Sequence, residues 1–148
     1  MGRFATDWTV DLDHALGYAA AHEALGSYNQ AIALNPEYAE SYNNRGIVLK
    51  DLGFNQDALA NYAKALSINP DYLEAYLNRS MVLLDLQRPE EALSDLSIAN
   101  RIQADNADVL NAMGIVLQDL HRFEEALEKH DQAIALRPDF AEAYINRS

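Results

Sequence analysis

The chain has 148 residues, enough for one domain with a buried core, and no cysteine, so disulfide scaffolds and thiolate metal sites are excluded. Eleven basic residues stand against 23 acidic ones, a net charge of −12 that repels phosphate backbones and anionic lipid headgroups. Gly and Pro are scarce (6 and 4), and no apolar run nears the roughly 20 residues of a membrane span, so a helical chain without nucleic-acid binding or membrane insertion is expected.

The N-terminus, Met1-Gly2-Arg3-Phe4-Ala5-Thr6-Asp7-Trp8, lacks the apolar stretch of a signal peptide, and a cytoplasmic location is expected. Residues 5–38 form an irregular first unit. Ala19-Ala20-Ala21-His22-Glu23 falls where a turn is needed, yet these are good helix formers. Two readings stand. Gly17 makes an early turn, with Leu16-Gly17-Tyr18 aligned to Leu52-Gly53-Phe54, or one longer helix covers about residues 10–34. The early turn is preferred.

From residue 39 the pattern is regular. A helix over about 39–52 is followed by Gly53, which suits a turn needing φ > 0, and by a helix over about 56–68. Acids open the next first helices (Asp71 and Glu74, Asp139 and Glu142), where the helix dipole favours them. Pro89-Glu90-Glu91 opens a second helix, proline being harmless in a first turn. Ala24, Ala58, Ala92 and Ala126 lie 34 apart, as do Ala31, Ala65, Ala99 and Ala133; Pro36, Pro70 and Pro138 share a phase in which Ala104 takes the third place. These alanines let helices approach closely, so Ala58, Ala65, Tyr62 and Leu49 are expected in the core.

A 34-residue unit with these residues resembles the tetratricopeptide repeat. Its aromatic or large fourth position reads Trp8, Tyr42, Tyr76, Leu110 and Tyr144; its small eighth position reads Leu12, Gly46, Ser80, Gly114 and Ser148; position 24 reads Tyr28, Tyr62, Leu96 and His130. The resemblance implies an all-α, right-handed α-α superhelix of antiparallel hairpins in a single domain, 1–148. Its units are the irregular 5–38, then 39–72, 73–106, 107–140 and a partial 141–148, whose sudden end suggests a fragment of a longer array. It also implies a non-catalytic protein-binding module whose first helices line a concave groove.

Helix arithmetic at about 100° per residue puts positions 4, 7, 8 and 11 on one face and 2, 6, 9 and 13 opposite. The opposite face carries three columns. The first is asparagine: Asn44, Asn78 and Asn146, beside Asn43 and Asn111, whose amides match the donor and acceptor of a peptide bond. It looks like the asparagine ladder of O-GlcNAc transferase repeats. The second is apolar, Ile47, Met81 and Ile115 with Leu77 and Leu84 beside them; the third is acidic, Asp51, Asp85 and Asp119. The acids oppose the dipole at the ends of their helices, which suggests selection for Lys or Arg in a ligand. Arg45, Arg79 and Arg147 at position 7, usually leucine, are expected to lie along the packing face and pair with nearby acids.

Catalytic signals are missing. His14, His22, His121 and His130 are scattered, His22-Glu23 lacks the second histidine of a metalloprotease helix, and no phosphate-binding glycine loop occurs, so no cofactor or metal is expected. The carboxylate clamp that the resemblance suggests for acidic chaperone tails needs Lys and Arg where this chain has Glu40, Asn43, Asn44, Glu74, Leu77 and Asn78. Expected partners are proteins or peptides, including basic ones, and further copies of the chain through exposed repeat ends. The rival readings are a self-assembling scaffold and the substrate-recruiting arm of a larger bacterial enzyme such as a glycosyltransferase.

Overall fold

A computed structural model describes the backbone of residues 2–139 and 141–147 and the side chains of residues 14–139 and 144–147. Trp8, Leu12, Glu142 and Ser148, which the sequence assigns to repeat positions, lie outside the described side chains. The elements are α1 (Gly2–Leu34), α2 (Ala39–Asp51), α3 (Asn55–Ile68), α4 (Leu73–Asp85), α5 (Pro89–Ile102), α6 (Ala107–Asp119), α7 (Phe123–Leu136) and α8 (Ala141–Arg147). Among the described residues there is no strand. The pairs α2/α3, α4/α5 and α6/α7 are hairpins, stacked as a right-handed α-α superhelix.

One interlock occurs in two of the three hairpins, α2/α3 and α6/α7. A Cβ on Gly46 would come within 2.7 Å of the Tyr62 ring, and one on Gly114 within 2.6 Å of His130 Nε2. The ring of the second helix thus lies directly against the backbone of the first. Ser80 and Leu96 hold the same two places in α4 and α5, and both are fully buried. The repeat alanines beside the rings (Ala58, Ala65, Ala92, Ala99, Ala126 and Ala133) are at most 1% exposed, as close helix approach requires. Leu49 is half-buried and packs at the edge of the Ala58–Tyr62–Val82 cluster rather than inside it.

The turns also repeat. Gly53 (φ 84°), Gln87 (φ 60°) and His121 (φ 58°) hold equivalent left-handed positions, two of them without the freedom of glycine. Between hairpins, the Tyr42 hydroxyl donates to the Pro36 carbonyl and the Tyr76 hydroxyl to the Pro70 carbonyl, each at 3.0 Å. The tyrosine and the proline are lost together in the next unit, where Leu110 follows Ala104.

The first unit corrects the expected early turn. α1 runs unbroken for 33 residues, about 50 Å at 1.5 Å per residue. Two causes are visible in the sequence. The place of Gly53, Gln87 and His121 is taken by Ala19, for which a left-handed turn costs about 1–2 kcal/mol and a helix costs nothing. The column of Gly46, Ser80 and Gly114 reads Leu12 in the first unit, so the small residue of the closed hairpins is absent from the sequence there. Ala24, Tyr28 and Ala31 accordingly stay half-buried, whereas their counterparts in the hairpins are sealed.

Two predictions follow from the interlock. Gly114→Ala and Gly46→Ala should each cost about 1–3 kcal/mol in urea unfolding, because the ring has no free volume to move into; parent-like midpoints would show that the contact is loose. His130 is fully buried, and burial pushes its imidazole pKa below the usual 6.5, with Asp131 opposing in part. The folded state therefore holds the neutral ring. Its contribution is complete above about pH 6.5 and is lost as pH falls from there towards the lowered folded value. Between about pH 7.5 and about pH 5.5, His130→Phe should lose less stability than the parent.

Candidate functional site: the face of the first helices

Successive first helices touch one another, α2 with α4, α4 with α6 and α6 with α8, while no contact joins α3 to α5 or α5 to α7. The array therefore curves towards the first helices. Their free side is its concave face, and positions 2, 6, 9 and 13 lie there.

The asparagine column is bonded within itself. Asn78 Nδ2 donates to Asn43 Oδ1 at 3.1 Å, and Asn146 Nδ2 donates to Asn111 Oδ1 at 3.1 Å, each bond joining one repeat to the next. Asn43 is fully buried and donates onward to Glu74 Oε1 at 3.3 Å. Asn111, also buried, accepts from His130 Nδ1 at 3.0 Å, so the other ring nitrogen carries the lone pair. Asn44 is half-buried on the same face. Between the two amide pairs the equivalent places hold Leu77 and Ala112, an apolar step.

The apolar column is only partly open. Met81 is 38% exposed, whereas Ile47, Ile115, Leu77 and Leu84 are half-buried, Ile47 against the Tyr62 cluster and the two leucines against the main core. On α4 alone, Leu77, Met81 and Leu84 make an unbroken apolar stripe.

Asp51, Asp85 and Asp119 are all exposed, and none makes a hydrogen bond or ion pair among the described residues. Arg122 is held by Glu125 at 2.7 Å and does not reach Asp119. The negative field extends inward: burial, then the charges of Asp51 and Glu74, push the Tyr62 hydroxyl up to about 12. At the other edge Asp108 is paired with Arg137 at 3.2 Å.

The position-7 arginines serve packing. Arg79 forks onto Asp95 at 2.7 and 2.6 Å, Arg45 donates to Asn61 at 2.7 Å and Asn29 at 2.9 Å, and Arg147 reaches Asp131 at 2.5 Å. Arg45 and Arg79 also lie over the rings of Tyr42 and Tyr76. A cleft of 320 Å³ beside Arg79 and Asp95 lies away from the concave positions. Among the described residues no His, Asp and Glu cluster could hold a metal ion, and no helix is long and apolar enough to cross a membrane.

Comparison with known proteins agrees with this geometry. Residues 22–53 match the family model described as TPR repeat, and residues 49–146 match that of the Psidin N-terminal TPR repeats region. The chain belongs to the tetratricopeptide-repeat family. No curated protein sequence matches it. Among solved structures, a crystal structure of MamA is similar with a TM-score of 0.80 at 21% identity, covering 91% of this chain and 79% of that one. YrrB, described as a TPR protein with an unusual peptide-binding site, gives 0.73 at 22% identity, covering 91% and 70%. The first TPR domain of Spaghetti (RPAP3), bound to the HSP90 peptide SRMEEVD, gives 0.72 at 21%, covering 74% and 87%. At these identities the likeness is one of fold.

The cross-repeat amide bond can be tested directly. Asn43→Ala and Asn78→Ala should each lower stability, and their double-mutant cycle should show a coupling of about 0.5–1.5 kcal/mol. Additive effects in urea unfolding would mean that the two amides act separately.

Proposed function

We propose that the protein is a non-catalytic interaction module that binds extended or helical segments of partner proteins on its concave face, with a preference for basic ones. The observation that carries this reading is the row of exposed, unpaired aspartates, Asp51, Asp85 and Asp119, along one edge of that face. Three carboxylates at helix C-termini are each disfavoured by about 0.3–1 kcal/mol. Lys or Arg from a ligand would offset that cost. Asn44, Ile47, Leu77, Asn78, Met81, Ile115 and Asn146 form the floor beside them, with the buried Asn43 and Asn111 beneath it. YrrB and the RPAP3 domain support the reading as peptide-binding relatives in fold. The acidic peptide of the RPAP3 complex is a poor model for the ligand here, because Glu40, Asn43, Asn44 and Glu74 stand where a carboxylate clamp needs cations. We take the chain as one domain with repeats at 39–72, 73–106 and 107–140, the irregular 5–38 before them and the partial 141–148 after, working in the cytoplasm.

A second reading, self-association through the repeat ends, is favoured by exposed apolar residues at both ends: Leu16 and Tyr18 on α1, Tyr144 and Ile145 on α8. Light scattering across concentrations separates it from the first, since only self-association changes the mass.

A peptide array tests the groove. The triple variant Asp51→Asn/Asp85→Asn/Asp119→Asn should keep binding neutral peptides, weaken on those with Lys or Arg, and lose much of its salt dependence. A profile identical to the parent's would move the binding surface elsewhere.

A further inference from the structure

The concave face has a floor, two edges and a spacing, and together they discriminate between an extended strand and a helix. We infer that its occupant is a basic amphipathic α-helix, lying across α2, α4 and α6 with an apolar stripe on Leu77, Met81 and Ile115 and a row of Lys or Arg against Asp51, Asp85 and Asp119. This inference rests on the groove reading above and adds the conformation and pattern of the ligand.

The floor decides first. An extended peptide is held through its backbone and needs free donors and acceptors from the receptor. Most of the amides that could supply them already bond within the protein: Asn78 to Asn43, Asn43 to Glu74, and Asn146 and His130 to Asn111, which leaves Asn44 as the one asparagine of the face without a side-chain bond among the described residues. Between the two amide pairs the floor turns apolar, at Leu77 and Ala112. A helix has already satisfied its own backbone and asks only for apolar contact and charge. The stripe Leu77, Met81 and Leu84, with Ile47 and Ile115 on either side, offers that contact.

Width agrees. Positions 2 and 13 of a first helix are eleven residues apart, about 16 Å, which accommodates a helix about 10–12 Å across between the two edges. Spacing agrees too. Packed helices lie roughly 8–10 Å apart, so the three aspartates recur at about that interval. On a ligand helix, residues seven apart share a face and are about 10.5 Å apart. Cations at that interval meet successive aspartates, and an apolar stripe beside them faces the floor. The edges differ, since Asp108 is paired with Arg137, Glu74 accepts from Asn43 and Glu40 from Tyr38, while the three aspartates make no bond among the described residues. The row of cations on the ligand is therefore placed on the flank that faces the aspartates.

The probe is a labelled synthetic peptide of about 18 residues built from Leu, Lys and Ala, with leucines on one helical stripe and lysines seven apart on one flank. Two controls share its composition or length: a scrambled order, and the same order with two central alanines replaced by proline. Fluorescence anisotropy gives affinity, and far-ultraviolet circular dichroism gives helix gained on mixing with the full chain. The first peptide is expected to bind with a gain of helix, and both controls to bind at least about tenfold more weakly. Asp85→Asn/Asp119→Asn should weaken it about tenfold and flatten its salt dependence, and Met81→Lys should weaken it further. Met81 is 38% exposed and the aspartates are exposed, so these variants keep the fold. If the proline peptide binds as tightly, or no helix is gained, the occupant is extended: the helix inference falls and the groove reading stands. If the peptide binds but neither variant alters it, the surface lies elsewhere and the inference falls. If no peptide binds, the groove reading falls with it.

Discussion

Two of the three hairpins, α2/α3 and α6/α7, close on a ring pressed against bare backbone, and in α4/α5 the buried Ser80 and Leu96 hold the same two places. Tyr62 lies on Gly46 and His130 on Gly114, with no room for even a Cβ between them. That contact fixes how close the two helices come, and the sealed alanines beside the ring follow from the same distance. Because the Tyr62 ring also packs on Val82 of α4, the contact that closes one hairpin seats the next. The first helices are thereby brought side by side, α2 against α4 and α4 against α6, and the concave face follows from that contact.

The same constraint accounts for where the array departs from regularity. Leu12 in place of glycine or serine, and Ala19 in place of a left-handed turn residue, remove the two features that every closed hairpin has. A long helix is the remaining solution, and the half-covered Tyr28 marks the missing contact. His130 shows the other side of the constraint. The site tolerates a polar ring because Asn111 takes its Nδ1–H, and Asn111 in turn receives Asn146 of the next repeat. A packing choice in one hairpin is in this way tied to the amides of the concave face.

Much of this was legible in the sequence. The 34-residue phase of the alanines and prolines locates α2 to α8, Gly53 marks the first of their turns, and the expected pairing of the position-7 arginines with acids holds for Arg79 with Asp95 and Arg147 with Asp131, whereas Arg45 meets the amides Asn61 and Asn29. The unbroken α1 is within reach of the sequence: Leu12 stands in the small-residue column, but periodicity alone does not say how little space that column has. The asparagines were harder. Helix arithmetic shows that Asn43 and Asn78 lie near one face, yet their bond crosses 35 residues and depends on how two helices slide past each other. Only packing supplies that. Leu49 at the edge of the core is a similar case, since periodicity gives the face of a residue and not its depth.

The face of the first helices, positioned by the close packing inside each hairpin, is the proposed interaction surface. Amide chemical-shift mapping of the full chain, titrated with a basic amphipathic peptide, tests it most directly. The account predicts perturbations running across α2, α4 and α6, strongest from Asn44 to Asp51, Asn78 to Asp85 and Ala112 to Asp119. Perturbations confined to the outer sides of α3, α5 and α7 would contradict it.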